Sequence, residues 1–513
     1  MADNFTSLLY SGEPEYTLYS RDPLFADLHI DQILAPVTEG LEDFRLAELY
    51  LQRPASRKDA EFRAAVSRDL WDDDFRGEIE AFLIRMNKTR RFLGIADTIH
   101  ETPVREKWTF DGALEYAEAV TALCARDGKA PESEGLGRFL AWLQGYAGSE
   151  AFAAFRGAAL SLKAKFDGAA YSLRLDLNGN TVYFGPDAGS DDFCAGLLAA
   201  FDRYDLRNAK REIAAFGDVN INILERRILA VIQNKRPDLS AELCDFCARF
   251  GEFINEKVLA FEREAQYYVS YIQFAKRLEG KGFPFSLPRF CGACLRISGG
   301  YDMSLALVKG DAALVVENGF EIRENERSFL LTGPNQGGKT TFSRMFGQIM
   351  FFSSLGLPMP CREAEILCTG GLETHFNAEE NPAADSGRLR EELVRLRKIL
   401  RDAPAKSVVI LNELFSSTTT FDALEMGARV LRRFEEKGCV CLYVTHLFEL
   451  AQSGGAVSLA AETDGGDPPA ATFRISRNLP GGNAFAERLL AKRGLRREEI
   501  KERVANAAVA SVR

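Results

Sequence analysis

Residues 333–340 have the spacing of a phosphate-binding loop. They read Gly-Pro-Asn-Gln-Gly-Gly-Lys-Thr and fit the pattern G-x-x-x-x-G-K-[ST] at every defined position. The apolar run at 328–332 predicts a buried strand before the loop, and residues 341–352 predict a proline-free helix after it. A strand, a glycine-rich turn and a helix N-terminus direct backbone N–H groups and a helix dipole at one point, where a polyphosphate binds. The pattern therefore predicts a nucleoside triphosphate site rather than a glycine-rich turn without a ligand.

The residues of this loop have separate expected roles. Lys339 is expected to reach the β- and γ-phosphates, and the Thr340 hydroxyl is expected to hold Mg²⁺. The other residues expected to contact the nucleotide are Gly333, Pro334, Asn335, Gln336, Gly337, Gly338 and Thr341.

Two further apolar runs end in polar residues that could act on a phosphate. Residues 407–411 are followed by Asn412 and Glu413, and residues 440–444 are followed by Thr445 and His446. A carboxylate at the tip of a strand beside the phosphate loop reaches Mg²⁺ and the attacking water, so Glu413 is the candidate general base. A histidine at such a strand end can hydrogen-bond a γ-phosphate. Taken alone, Glu413 could cap a helix and the histidine could be a core residue, but their order after the loop favours catalysis.

The surrounding sequence divides the chain into a helical part and an α/β part. Residues 21–292 have mostly helical periodicity, with a β-hairpin insertion at about 166–186, where alternating apolar residues flank an Asn-Gly pair. Residues 293–513 alternate between strands and helices, which predicts an α/β fold with a parallel-rich sheet. Residues 1–20 are expected to form an N-terminal extension.

Two local patterns refine the helical part. Ser56 and Asp59 have the spacing of a capping box, with aspartate in place of glutamate or glutamine, and predict a helix start. A broad apolar stripe runs through 239–280 and predicts a long helical stretch that forms core or packs against another helix.

The overall composition is that of a water-soluble globular protein. At 513 residues the chain has material for about two to four domains. No charged-then-apolar leader and no apolar run of membrane-spanning length is found, so a cytoplasmic protein without membrane partners is expected. The net charge of −10 argues against coating nucleic acid through bulk charge.

Local basic clusters could still bind nucleic acid on an acidic protein. The clusters lie at 85–91 and at 395–401, and both have helical character. A solvated helix face is the favoured interpretation of each, with DNA contact as the alternative.

Two C-x-x-C pairs stand out among the ten cysteines. Cys244 with Cys247, and Cys291 with Cys294, could together supply four thiolates to zinc. However, the two pairs are much farther apart than in compact zinc ribbons, and cysteines at helical spacing are commonly core residues. Small core residues are therefore favoured over a zinc site.

The segment 330–450 resembles the ATPase domain of the MutS family of DNA mismatch-repair proteins, a relative of the ABC-type ATPases. The resemblance is carried by Thr332–Asn335, Gly337–Thr340, Gly356 with Pro360, Glu365-Ile366, Asp385–Arg388, Ser417-Thr418 with Asp422, and Thr445–Leu450. It extends more weakly to Asp31–Leu34, which is similar to the family's lever helices, and to the segment after Phe473, which is similar to its C-terminal helical element.

The resemblance implies specific roles and partners. It implies that ATP and Mg²⁺ bind at Lys339 and Thr340, that Glu413 activates water and that His446 senses the γ-phosphate. It also implies that Asn412 and Asp422 belong to the nucleotide site, and that Ser386 completes the site of a second copy in trans. Two chains would therefore close on two composite ATP sites as a homodimer. DNA and repair proteins are the partners to expect, with association to the nucleoid if DNA is bound.

Three features depart from the family pattern. Asn412 stands where the family usually has aspartate, and it keeps an acceptor oxygen without the charge, which predicts weaker Mg²⁺ binding. The mostly charged residues 389–392 replace an apolar continuation of the signature turn, so the contact in trans is less secure. The family's mismatch-reading domain contacts a mispaired base through an N-terminal Phe-x-Glu triplet. The three Phe-x-Glu triplets of this chain, at Phe250, Phe434 and Phe485, lie instead in the predicted helical core or in the ATPase segment. A short MutS-like branch without the mismatch-reading domain is therefore expected.

Three functions follow from these patterns. The first is a dimeric, nucleotide-gated ATPase clamp that acts on DNA. The second is an ABC-like ATPase that grips a protein partner instead. The third, motivated by Asn412, is a scaffold that binds ATP without hydrolysing it.

Overall fold

The computed structural model describes residues 5–168, 171–176, 181–186, 235–292, 294–376, 388–447, 449–450, 455–464, 466 and 470–478. Unit 1 consists of Met1–Phe5, Asp74–Ala130 and Arg138–Glu262, and unit 2 consists of Thr6–Asp73, Pro131–Gly137 and Arg263–Arg513. These units are defined by compactness and do not test the functional boundaries expected at residues 20/21 and 292/293, which stay predictions. No helix in the described part of the chain is long and apolar enough to span a membrane.

Unit 1 is built mainly from helices. They are α5 (Asp73–Asp97), α6 (Thr102–Cys124), α7 (Glu134–Ala147), α8 (Glu150–Asp167), α9 (Pro237–Phe250) and α10 (Glu256–Glu279), of which α5, α7 and α10 include residues of unit 2. Strands β3 (Tyr171–Asp176) and β4 (Thr181–Pro186) pair antiparallel, where the alternating pattern predicts a hairpin. The Asn-Gly turn expected between them lies outside the described residues.

The core of unit 1 is aromatic. Phe139 and Phe261 stack with ring centroids 3.4 Å apart, and Phe82 packs edge-on against Phe261 at 5.5 Å. All three side chains are buried. Large aromatic side chains at helical spacing thus stabilise the packing of α5, α7 and α10.

The long helical stretch predicted at 239–280 is interrupted. Helix α9 ends at Phe250, and α10 begins at Glu256. Between them, the Asn255 side chain accepts a hydrogen bond from the N–H of Lys257, and its backbone N–H donates to Tyr116. Because asparagine favours helix N-termini, these contacts stabilise a new helix start where the apolar stripe alone predicts continuity.

Unit 2 contains a six-stranded sheet in the order β10-β11-β12-β8-β13-β14. All its neighbouring pairs are parallel except β13 with β14. The strands are β8 (Ser328–Thr332), β10 (Leu372–Phe376), β11 (Val408–Asn412), β12 (Val440–Val444), β13 (Val457–Thr463) and β14 (Ala471–Ser476). Every residue of β8, β11 and β12 is buried, as expected for parallel strands covered on both faces. The predicted α/β fold with a parallel-rich sheet is confirmed.

Further elements complete unit 2. A second sheet in the order β5-β9-β6-β7 contains β5 (Arg289–Cys291), β6 (Leu295–Gly300), β7 (Asn318–Ile322) and β9 (Glu363–Leu367). Strands β1 (Tyr16–Leu18) and β2 (Gln52–Pro54) pair antiparallel. The helices are α1 (Arg21–Leu28), α2 (Ile30–Thr38), α3 (Leu46–Tyr50), α4 (Arg57–Trp71), α11 (Met303–Lys309), α12 (Lys339–Ser354), α13 (Arg388–Asp402) and α14 (Thr420–Glu436), with short 3₁₀ turns at Glu42–Phe44 and Ala312–Leu314.

Two local details of unit 2 follow from the sequence. Ser56 caps α4 by accepting a hydrogen bond from the N–H of Asp59 at 3.1 Å, as its spacing predicts. In α12, a Cβ on Gly347 would lie 2.4 Å from a methyl group of Leu28, so glycine is needed for α1 to approach the helix that follows the phosphate loop.

Candidate functional site

The phosphate loop joins the central strand β8 to the N-terminus of α12. Gly333 and Gly338 have φ values of 143° and 87°, and Gln336 lies in the left-handed region at 61°. A Cβ on Gly333 would lie 2.7 Å from the Cβ of Ala461 in β13. Glycine is therefore required at this position both by its backbone conformation and by the close approach of the neighbouring strand.

Lys339 lies at the first position of α12 and is buried. Its ammonium donates to the carbonyl oxygens of Gly333 and Pro334, at 3.1 and 2.9 Å. Burial lowers the pKa of Lys339, and the Glu413 carboxylate acts in the opposite direction. The ammonium is thus held over its own loop by two neutral acceptors, which a phosphate would outcompete because charge-assisted hydrogen bonds are stronger.

Glu413 and His446 follow two neighbouring parallel strands, β11 and β12. Glu413 Oε1 lies 3.0 Å from His446 Nε2, and the backbone N–H of Glu413 donates to the carbonyl of Val444 at 2.9 Å. The hydrogen bond with His446 lowers the pKa of Glu413, while partial burial opposes the shift and the charges of His446 and Lys339 add to it. Glu413 is therefore an ionised carboxylate at neutral pH, as a base or water-orienting group requires.

Asn412 is the last residue of β11 and its side chain is buried. Its Oδ1 atom is buried without a hydrogen-bond partner among the described residues. A buried acceptor without a partner costs free energy unless a ligand or water satisfies it. Together with the Thr340 hydroxyl, this oxygen fits the oxygen ligands and bound waters that Mg²⁺ prefers.

A cleft of about 620 Å³ lies in front of these groups. The predicted residues that line it are Asn335, Gln336, Gly337, Gly338, Lys339, Thr340, Thr341, Glu413 and His446. The structure thus brings the phosphate loop and both strand ends to one site.

Four of the predicted residues do not line the cleft itself. Gly333 and Pro334 contribute the carbonyl oxygens that hold Lys339, and Asn412 is buried at the end of β11. Asp422 accepts a hydrogen bond from the Thr419 hydroxyl at 2.8 Å in the first turn of α14, and it does not line the cleft. Ser386, expected to act in trans, lies outside the described residues.

An apolar wall that the sequence did not predict faces the phosphate loop. It is formed by Tyr301, Leu305, Leu314, Val316, Met345 and Phe473. Phe473 lies in β14 with φ of 58° and is 48% exposed. A Cβ on Gly338 would lie 3.4 Å from its ring, so the aromatic side chain lies directly beside the loop.

Asn318 holds the backbone around Phe473. Its Nδ2 donates to the carbonyl of Phe473 at 3.0 Å, and its Oδ1 accepts from the N–H of Ile475 at 2.8 Å. One side chain from β7 thereby pairs two backbone groups of the edge strand β14. This clasp fixes the backbone that carries the ring at the mouth of the cleft.

Residues 329–463 match the family model of MutS domain V. This segment is similar to domain V of the MutS family. The match begins within β8 and ends with β13, so it includes the phosphate loop, Glu413 and His446. Phe473 lies beyond the matched residues.

Two relatives show the same likeness. The chain is 36% identical over 128 residues to the DNA mismatch repair protein MutS of Sorangium cellulosum, which covers 25% of this chain and 14% of that protein. It is 28% identical over 144 residues to the DNA mismatch repair protein msh-2 of Neurospora crassa, covering 28% of this chain and 15% of the relative. The matches thus span about a seventh of these two MutS relatives.

The two C-x-x-C pairs were the candidate zinc ligands. No cluster of three or more histidine, cysteine, aspartate or glutamate side chains suited to a metal occurs among the described residues. Cys244 instead donates its thiol hydrogen to Glu106 Oε2 at 2.8 Å, and Cys294 Sγ lies 3.5 Å from Cys291 Sγ.

The basic cluster at 85–91 contains several ion pairs. Arg85 and Lys88 lie 3.0 and 3.7 Å from the two carboxylate oxygens of Glu115, and Arg90 lies 3.2 Å from the buried Glu262. These contacts neutralise much of the positive charge, which favours the predicted solvated helix face over DNA contact.

Proposed function

We propose that this chain is a MutS-like ATPase that binds ATP and hydrolyses it in the cleft of domain V. The observation that carries the proposal is the contact between Glu413 and His446 at the end of the cleft that contains Lys339. A base, a histidine at hydrogen-bond distance from it and a phosphate-binding ammonium are the groups that hydrolysis of a phosphoanhydride needs.

Each group has a proposed task. The N–H groups of the loop and the α12 N-terminus bind phosphate oxygens, and Lys339 moves from its loop carbonyls to the β- and γ-phosphates. Mg²⁺, held by Thr340 and by Asn412 through water, would neutralise phosphate charge when bound. Glu413 orients a water molecule and accepts its proton, and His446 donates a hydrogen bond toward the γ-phosphate.

The apolar wall supplies a place for the base of the nucleotide. Phe473 provides an aromatic face for stacking, and Leu314 and Val316 add exposed apolar surface, with 62% and 36% of each residue accessible. Stacking on an aromatic ring is the main way in which proteins hold a base without reading its edge. We therefore place the adenine between Phe473 and this surface.

The proposal extends to a homodimer that acts as a nucleotide-gated clamp on DNA. Support comes from the MutS family of domain V and from the two relatives, whose names state DNA mismatch repair. Ser386 would complete the site of the second copy. Closure of two ATP-loaded domains would then move the helical part, which is the expected lever.

DNA binding is tested by titrating homoduplex, mismatched and branched DNA at two salt concentrations, with and without ATP. Wild type is expected to bind in a salt-dependent manner that ATP changes, and Lys339→Ala is expected to lose the response to ATP. Absence of DNA binding in every nucleotide state would favour a protein partner, an alternative supported by the ion pairs in segment 85–91.

A scaffold that does not hydrolyse ATP is the second candidate, and Asn412 is the observation that favours it. It predicts ATP binding and dimer closure without phosphate release. Continuous phosphate release by wild type over many turnovers would exclude this candidate.

A further inference from the structure

The backbone that presents Glu413 is held in an unusual conformation. Glu413 and Phe415 have φ values of 55° and 61°, in the left-handed region that residues other than glycine rarely adopt. Each such residue costs about 1 kcal/mol or more and persists only where surrounding contacts stabilise it. The turn at 413–415 therefore needs anchors, and these anchors determine where the Glu413 carboxylate points.

Three hydrogen bonds anchor this turn from outside it. Two come from β12: the Val444 carbonyl accepts from the N–H of Glu413 at 2.9 Å, and the Tyr443 hydroxyl donates to the carbonyl of Leu414 at 3.4 Å. The third comes from α13, where Glu392 Oε2 accepts from the N–H of Phe415 at 3.0 Å. The last bond lies at the far end of the turn, and its acceptor is a carboxylate, which makes it stronger than a neutral contact.

Glu392 is an atypical residue for the helix that carries it. Helix α13 has exposed charged residues along its outer face, including Glu391, whereas Glu392 is only 6% exposed. A buried carboxylate is costly unless it is hydrogen-bonded, so its place against the catalytic turn indicates a specific function rather than solubility. Leu396, one turn further along α13, and Leu414, within the turn, belong to the buried hydrophobic core.

Helix α13 is itself fixed to the edge of the sheet one turn further on. Arg395 donates to the carbonyls of Thr374 and Phe376 in β10, at 3.1 and 3.2 Å, and forms an ion pair with Asp27 of α1. These contacts hold α13 against β10 at a point about one helical turn from Glu392. A fixed helix can transmit its position to the turn through a single strong bond.

We propose that Glu392 is a positioning residue for hydrolysis: its carboxylate holds the N–H of Phe415 and so orients Glu413 toward the attacking water. The inference rests on the proposed ATPase function. Glu392 does not line the cleft, so it acts through the turn and not on the nucleotide.

The test compares Glu392→Ala with Glu392→Gln, which keeps an acceptor oxygen of similar reach. Glu392→Ala is expected to lower kcat by about tenfold or more, because a small misplacement of a catalytic group has effects of this size. ATP affinity is expected to stay within about twofold of wild type, and Glu392→Gln is expected to recover most of kcat. Glu391→Ala, at an exposed position of the same helix, is the matched control and is expected to retain the wild-type rate.

A Glu413→Gln background distinguishes positioning from a general loss of structure. If Glu392 acts through Glu413, Glu392→Ala has no further effect on the residual rate of Glu413→Gln. An equal loss in both backgrounds, or an unchanged kcat in a folded Glu392→Ala protein, overturns the inference. If the alanine variant does not fold, Glu392→Asp, with its shorter side chain, is judged by the same criteria.

The failure of this inference and that of the proposed function give different results. Wild type that releases no phosphate contradicts the ATPase function itself. Wild type and Glu392→Ala that release phosphate at the same rate contradict only the positioning role.

Discussion

Glu413 and His446 meet because the two strands that precede them are in register. Asn412 pairs with Val444 across β11 and β12, and the next residues place Glu413 Oε1 3.0 Å from His446 Nε2. Carboxyl ends of parallel strands lie at one edge of a sheet, so Glu413 and His446, one and two residues beyond the paired ends, lie close together. The pair links the candidate base to the residue expected to contact the γ-phosphate.

Removing the histidine should change both the rate and its pH dependence. His446→Ala is expected to lower kcat on the order of a hundredfold. The hydrogen bond with His446 lowers the pKa of Glu413, so its loss raises that pKa toward the ordinary value. Because the ionised carboxylate is the active form, the acidic limb of the kcat profile should move to higher pH. His446→Gln, which can still donate a hydrogen bond, should shift less, and an unmoved limb in His446→Ala would contradict the coupling.

The buried oxygen of Asn412 should influence how much Mg²⁺ the reaction requires. Asn412→Asp adds a charge at the same place, so the Mg²⁺ concentration that gives half the maximal rate should fall by roughly three- to tenfold. Asn412→Ala should raise it. The measurement is phosphate release across a Mg²⁺ titration, and identical titrations for the three proteins would show that residue 412 has no part in metal binding.

The role of Phe473 can be separated from that of the phosphate loop. Phe473→Ala should weaken ATP binding by about 1 kcal/mol, or roughly fivefold, since it removes a stacking surface. Binding of inorganic triphosphate should be unchanged, because that ligand has no base. Phe421 is 79% exposed and does not line the cleft, so Phe421→Ala is the matched control. Equal weakening of ATP and triphosphate would instead indicate damage to the loop.

Stability should depend on pH through His375 in β10. Burial and the charge of Arg395 lower the pKa of His375 to about 4, against an ordinary value of 6.5. The unfolded chain therefore binds a proton that the folded chain does not between these values, and stability falls as pH decreases from 6.5 toward 4. At pH 5 the loss should be about 2 kcal/mol.

Urea unfolding at pH 7.5 and pH 5 tests this prediction. His375→Gln cannot titrate, so its loss of stability between the two pH values should be smaller than that of wild type by about this amount. Equal losses in the two proteins would show that His375 does not contribute.

The parts of the site that are local in sequence were predictable. The phosphate loop, Glu413 and His446 each come within two residues of the end of a buried apolar run, and parallel strands must bring such ends together. The apolar wall was not predictable, because Phe473 reaches the loop only through the pairing of β14 with β13 and through the clasp of Asn318. No local pattern encodes these long-range contacts.

The helices show the same difference between features set by local sequence and features set by long-range contacts. The start of α4 followed from Ser56 and Asp59, because a cap is a contact between near neighbours. The break before α10 was missed because the apolar stripe continues across it. The sequence shows Glu392 only as one of the mostly charged residues 389–392, and the fold alone shows that its carboxylate accepts a hydrogen bond from the N–H of Phe415.

The most direct test of the account compares wild type with Glu413→Gln in two assays on the same preparations. ATP binding is followed at equilibrium in the presence of Mg²⁺, and phosphate release is followed over many turnovers. The account predicts that Glu413→Gln binds ATP at least as tightly as wild type and releases phosphate at least a hundredfold more slowly, on the order expected for loss of a catalytic base. Equal phosphate release by the two proteins would contradict the assignment of this cleft as an ATPase site with Glu413 as its base.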